Sequence, residues 1–196
     1  MEIRGIHESE LEEMVNLQCL AFRPDGHERY WQYILSDSSY RHEQSRVVVV
    51  NRRIAATLRV WERRMRIGAC IVRMGGIGGV CTHPDYRGAG YATALMKDTI
   101  SYMRTIGCDL SVLFSIIPSE FYRKLGWANL PLEGFRITRG RRFTLAETHW
   151  PVEPFNETRD LNQVAALYDA YNEQQSASLV RSRSYWDVGP SRIRGI

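Results

Sequence analysis

The sequence predicts an α/β domain, a mixed sheet with helices packed on it, and three features carry that reading. Val47-Val48-Val49-Val50 sets four β-branched residues in a row, the mark of a buried strand. Residues 89–106 carry Ala92, Leu95, Met96, Ile100 and Met103 at helical spacing. Between a glycine-rich strand and that helix stands Gly88-Ala89-Gly90, a tight strand-to-helix turn. With 196 residues, 44% of them hydrophobic and 24% charged, the chain suits one domain of residues 1–150 plus an appendage over 151–196.

The elements follow in order. Residues 2–6 read as a short strand. Ser9-x-x-Glu12 resembles a capping box, opening an amphipathic helix over 9–21 whose inner stripe runs through Leu11, Met14, Val15, Leu17, Gln18 and Leu20. Arg23-Pro24-Asp25-Gly26 makes a turn, and Tyr30, Trp31 and Tyr33 follow on a second short helix. The valine run is the next strand. Residues 54–66 form a long one, Gly68 breaks it, and residues 70–82 return, with Gly75-Gly76 and Gly78-Gly79 interrupting the strand. Gly107 caps the 89–106 helix. Residues 110–116 read as a buried strand, Pro118-Ser119-Glu120 starts a short helix that Gly126 stops, and 134–138 and 142–147 read as final strands. Pro151-Val152-Glu153-Pro154 reads as a linker, and Leu161, Val164, Ala165, Leu167 and Tyr168 open a further amphipathic helix.

Composition narrows the function classes. No apolar run approaches the roughly 18–20 residues that cross a bilayer, and no secretory signal is read at the start, so a cytoplasmic protein is expected. Cys19, Cys70, Cys81 and Cys108 stand far apart without metal-ligand spacing, which predicts reduced, mostly buried thiols and no metal. Twenty-four of the 26 cations are Arg, the exceptions being Lys97 and Lys124. Residues 41–73 hold nine Arg against Glu43 and Glu62, a field suited to a polyanionic ligand. Nucleic-acid binding through that surface predicts salt-dependent affinity, but neither a helix-turn-helix nor an aromatic-basic platform is seen, and no nucleic-acid partner is expected.

The chemistry concentrates in Val80-Cys81-Thr82-His83-Pro84-Asp85-Tyr86-Arg87-Gly88-Ala89-Gly90-Tyr91-Ala92. A strand ends, a glycine turn follows and a helix begins, which points unpaired amides at one spot on the positive end of a helix dipole. Such a spot binds an anion, most naturally a phosphate. Gly88 and Gly90 keep side chains away, Ala92 lets the first turn approach, and Arg87 adds a charged fork. Neither the P-loop nor the dinucleotide fingerprint matches.

Arg87-Gly88-Ala89-Gly90-Tyr91-Ala92 resembles the Arg/Gln-x-x-Gly-x-Gly/Ala signature of the GNAT superfamily of N-acetyltransferases, and Phe121-Tyr122-Arg123-Lys124-Leu125-Gly126-Trp127 is similar to the family's fourth-helix motif. The likeness covers roughly residues 1–140. Within the superfamily, Met74-Gly75-Gly76-Ile77-Gly78-Gly79-Val80, and a linker followed by residues 160–187 with Leu179-Val180-Arg181-Ser182, look like the Eis (enhanced intracellular survival) type. Members of that group are longer, so residues 151–196 read as a linker and the incomplete start of a second acetyltransferase-like region.

The resemblance implies a mostly antiparallel central sheet that splays between its fourth and fifth strands. It implies acetyl-CoA as co-substrate, its pantetheine on the backbone of Val80, Cys81 and Thr82 and its pyrophosphate on Arg87, Gly88, Ala89, Gly90, Tyr91 and Ala92. It places the acid that protonates the leaving thiolate at Tyr122, a phenol being close enough to a thiol in acidity to hand over its proton. The Eis-type terminal carboxylate does not carry over; His83 and Glu120 are the nearest titratable groups by position, and proton loss through water needs neither. Cys81 reads as a strand residue. The acceptor pocket is expected from 22–35 and 59–66, with Asp25 and Glu28 binding a cationic amine and Trp31 and Tyr30 forming an apolar wall. Arg59, Arg63, Arg64 and Arg66 would repel a polycation such as an aminoglycoside. The expected activity is direct acetyl transfer to a primary amine, on an aminoglycoside-like small molecule, a lysine side chain or a peptide. The alternative is a non-catalytic acyl-CoA-binding scaffold. A homo-oligomer is compatible with both, and no membrane partner is expected.

Overall fold

The computed structural model describes residues 1–130 and 152–186. Five strands lie side by side: β1 (Glu2–Gly5), β2 (Ser45–Val50), β3 (Arg53–Ile67), β4 (Cys70–Thr82) and β5 (Leu110–Leu113). The first four pair antiparallel and β5 joins β4 in parallel, so the sheet is mixed, as the sequence predicts. The parallel pair needs a crossover, and α3 (Tyr91–Thr105) supplies it.

Successive valines of β2 feed opposite faces, as a pleated strand dictates. Val47 joins a core with Leu11, Met14, Val15 and Leu17 of α1 (Leu11–Ala21) and Ile34 of α2 (His27–Leu35). Val48 joins Leu58, Val60, Ile77 and the Leu95, Met96 and Met103 stripe of α3 on the other side. The helix predicted over 9–21 begins later. A 3-10 turn spans Glu8–Glu10, and the capping box is His7-x-x-Glu10: the Glu10 carboxylate accepts from the His7 amide at 2.9 Å. Arg4 forks onto Glu10 at 2.8 Å and fixes it there, while Glu12 turns outward to Asn16, His27 and Trp31.

The glycines do not interrupt β4, which runs unbroken from Cys70 to Thr82. They place a bulge instead. Thr57 faces Cys81 and Arg59 faces Gly78, so Gly79 and Val80 stand opposite Leu58 alone. Gly79 has φ +65°, the left-handed region that glycine tolerates. Gly107, φ +74°, closes α3: its amide bonds to Arg104 and that of Cys108 to Met103, a Schellman ending.

The strand expected over 110–116 stops at Leu113, and its last partner on β4 is Ile77. From Gly78 to Thr82, β4 has no neighbour on that side among the described residues. The sheet splays there. The short helix after it is α4 (Glu120–Arg123), capped at Ser119 so that Pro118 precedes the cap. The strands expected over 134–138 and 142–147 lie outside the described residues. Beyond residue 152 come α5 (Glu157–Asn172), β6 (Ser178–Val180) and α6 (Arg183–Trp186). β6 pairs with Arg64, Met65 and Arg66 of β3, on the edge that β2 leaves after Arg59, and makes the sheet six-stranded.

Candidate active site

At the splay, β4 hands the chain to α3 through a 3-10 turn, Pro84–Tyr86. The amides of Tyr86 and Arg87 bond back to His83 and Pro84, and the first helical bond is Ala94 to Gly90. The six amides of residues 88–93 therefore have no partner among the described residues, and no side chain caps the helix. Gly88 and Gly90 both have φ +80°, the left-handed conformation that shapes this turn. A Cβ at either would meet nothing within 4 Å, so glycine is required here by backbone angle and not by crowding from the protein.

The cleft beside these amides holds about 450 Å³ and is lined by Thr82, Tyr86, Arg87, Gly88, Gly90, Tyr91, Ala92 and Thr93. Arg87 is exposed and spends one guanidinium nitrogen on the Thr82 carbonyl at 3.3 Å. Open amides at a helix start, the helix dipole and a nearby guanidinium are groups that suit an anion such as a phosphate. The open edge of β4 continues from it, so a ligand with a pyrophosphate and an extended amide chain would meet fitting groups along its length. These are the features of acetyl-CoA, and residues 78–93 fit it.

The predicted cofactor residues thus come together along one edge and one turn, although Val80, Cys81 and Ala89 do not line the cleft itself. Tyr86 and Thr93 do, and the sequence reading assigned them no role. Thr93 was legible as the third amide of the helix, Tyr86 only once its ring is seen 6.2 Å from that of Tyr91.

Tyr122 is buried, its ring 4.9 Å from Phe121 and 6.4 Å from Trp127, on the α3 side of the sheet. Its hydroxyl makes no hydrogen bond to the described residues. Cys81 is buried on β4, and burial pushes its thiol up to about 12 despite Arg87 nearby. It stays a neutral thiol and a poor nucleophile. The expectation of mostly buried cysteines needs correction: Cys19 and Cys81 are buried, Cys108 is partly so and Cys70, at the β3–β4 turn, is exposed.

Asp25, Glu28 and Trp31 do not line the cleft. Asp25 is exposed and paired with Arg23 at 2.9 Å, Glu28 accepts from Gln32, and Trp31 donates to Glu12 at 3.1 Å. Tyr30 comes closer to β4: burial raises its hydroxyl, and the Cys19, Tyr33 and Cys81 side chains nearby add to that. His83 accepts from the Asp85 amide, and Glu120 is exposed.

The arginine-rich surface is less positive than its sequence suggests. Arg59 is buried, 2.7 Å from Asp37 and 4.7 Å from the Trp61 ring, and Arg63 shares the same carboxylate. Arg46 forks onto Asp98 at 2.8 and 3.0 Å, and Arg41 pairs with Glu62. Asp37 and Asp98 come from outside the 41–73 window, which is why the local count missed them. Among the described residues no group of acids, histidines and cysteines is placed to hold a metal, and no helix is long and apolar enough to cross a membrane.

Comparison with known proteins agrees with this geometry. Residues 2–130 match the family model described as an acetyltransferase (GNAT) domain. No curated protein matches the sequence. A GCN5-related N-acetyltransferase from Anabaena variabilis superposes with a TM-score of 0.73 at 20% identity, over 94% of this chain and 46% of that one. One from Kribbella flavida gives 0.55 at 24% identity, over 64% and 33%. An aminoglycoside 6'-N-acetyltransferase from Acinetobacter haemolyticus gives 0.54 at 15% identity, over 71% and 99%. The chain spans less than half the length of the first two, and at such identities the likeness is one of fold. With the family model covering residues 2–130 and the splayed sheet it requires in place, the chain belongs to the GNAT acetyltransferase family.

Proposed function

We propose that the protein transfers an acetyl group from acetyl-CoA to a primary amine by direct attack within a ternary complex. The observation that carries this reading is the run of six partnerless amides, residues 88–93, beside the open edge of β4. When bound, acetyl-CoA supplies an activated acyl carbon and a thiolate leaving group. The amides from Gly88 to Thr93, with Arg87, hold the pyrophosphate. The backbone of Val80, Cys81 and Thr82 receives the pantetheine as an added strand. Tyr122 holds a proton for the departing sulfur. Cys81 takes no covalent part, because its thiol does not ionise near neutral pH.

The acceptor is a small amine, a lysine side chain or a peptide amine, approaching from the α1–α2 side, with Asp25, Glu28 and Trp31 as its outer contacts. Pairing of Arg59 and Arg63 with Asp37 removes much of the repulsion that a cationic acceptor would otherwise meet. Affinity to the Eis type, with residues 151–196 as the start of a second region, rests on the sequence motifs in 74–80 and 160–187.

Calorimetry tests the cradle. Gly90→Trp, which sets an indole in the path of the phosphates, should abolish acetyl-CoA binding in a chain that still folds; unchanged binding would remove the cradle. Thiol release across a panel of amines tests transfer. Cofactor binding with no release from any amine would favour the scaffold alternative.

A further inference from the structure

Gln18 interrupts the apolar stripe of α1, and its placement calls for an explanation. The residue is only 8% exposed, yet its side-chain amide makes no hydrogen bond to the described residues. The stem of the side chain is packed while its amide stays unspent, open to a ligand. The side chain reaches across to β4 and ends at the bulge: a Cβ built on Gly79 would lie 3.1 Å from Gln18 Nε2. Any residue but glycine at 79 would crowd this contact and strain a φ of +65°. The bulge is also where β4 leaves residues unmatched by β3.

Position along the strand gives this amide a use. Thr82 lines the phosphate cleft, and Gly79 stands three residues back along the same open edge, about 10 Å at strand rise. An extended chain that starts at the amide turn and follows the edge brings its far end toward Gln18. α2, with Tyr30 and Trp31, packs on the same side of the sheet.

We propose that Gln18 is a carbonyl-binding residue of the site: its side-chain amide donates to the thioester oxygen at the β4 bulge. The inference rests on the coenzyme reading above. As the amine nitrogen bonds to the acyl carbon, the carbonyl electron pair moves to oxygen, and it returns as the carbon–sulfur bond breaks and sulfur takes the proton. A donor fixed at that oxygen binds more tightly as charge develops there.

The test compares the affinities of acetyl-CoA and CoA for wild type, Gln18→Met and Gln18→Asn by calorimetry, with thermal melting as the fold control. Gln18→Met keeps the length and apolar packing, and Gln18→Asn retracts the amide by one methylene. The wild type should prefer acetyl-CoA to CoA, and each folded variant should lose roughly five- to tenfold of that preference while binding CoA as before. In turnover, kcat should fall with the amine KM unmoved. An unchanged preference in a folded variant, or a wild type that binds both molecules alike, overturns the role of Gln18 and leaves the cradle standing. A wild type that binds neither overturns the coenzyme reading, and this inference with it.

Discussion

The turn between β4 and α3 and the cluster around Asp37 treat their polar groups in opposite ways. At Asp37 the carboxylate is spent internally. Its carboxylate accepts from the Ser39 amide and hydroxyl at 3.1 and 2.6 Å and from Arg59 and Arg63 at 2.7 Å, while Arg59 also donates to the Tyr33 carbonyl. Burial by itself would raise that carboxyl, but Ser39, Arg63 and Arg59 outweigh it and hold it at about 2. At the turn, six consecutive amides stay open and two glycines take a left-handed conformation to keep them so. Charge in the sequence therefore misleads about where unspent donors lie. Arg41, Arg46, Arg59 and Arg63 of the arginine-rich stretch are spent on carboxylates, while the nearly uncharged Gly-Ala-Gly turn keeps its amides open.

The contrast can be broken by experiment. The largest effect is expected at Tyr122, whose hydroxyl bonds nothing described. Tyr122→Phe should lower turnover at saturating acetyl-CoA by about a hundredfold or more while sparing affinity and melting temperature. Undiminished turnover in steady-state kinetics would take Tyr122 out of the mechanism. Asp37→Ala should do the reverse. It takes the carboxylate from the buried Arg59 guanidinium and should cost about 3–5 kcal/mol in urea unfolding, with little change in acetyl-CoA affinity of the folded fraction.

Acid should separate the two regions more gently. The Asp37 and Glu10 carboxyls are both held at about 2, below their ordinary 3.8 and 4.5. For Glu10 the cause is chiefly the Arg4 hydrogen bonds. Groups lowered in the folded state stabilise it fully above their unfolded values, and that contribution drains away as the pH falls toward 2. Asp37 should account for on the order of 2 kcal/mol of this loss, which Asp37→Asn should remove from the stability–pH curve. The mildest test is alkylation at pH 8. Exposed Cys70 should react first by mass spectrometry, and Cys81, buried with its thiol near 12, only on unfolding. Early labelling of Cys81 would mean that the strand beside the cleft offers a nucleophile after all.

Much of this was legible in order. The valine run, the α3 stripe and the Gly88-Ala89-Gly90 turn fix strand, helix and junction through local chemistry: β-branching, a 3.6-residue period and positive φ. The motifs around Gly90 and Tyr122 were local too, and so were readable. Local chemistry reads less well where long-range partners decide. It placed the capping box at Ser9 because it could not see Arg4 reaching Glu10. It ended β5 too late because apolar content does not reveal where a neighbouring strand stops pairing.

The sequence by itself determined that a glycine turn with open amides precedes the long helix, because glycine conformations and helix-end amides are properties of a few adjacent residues. Only the tertiary structure decided that Asp37 and Asp98 neutralise arginines far from them in sequence, that β6 returns to the edge of β3, and that Gln18 meets the bulge at Gly79. Each of these joins segments distant in the chain, and a periodicity of two or 3.6 residues carries no record of which surfaces fold against one another.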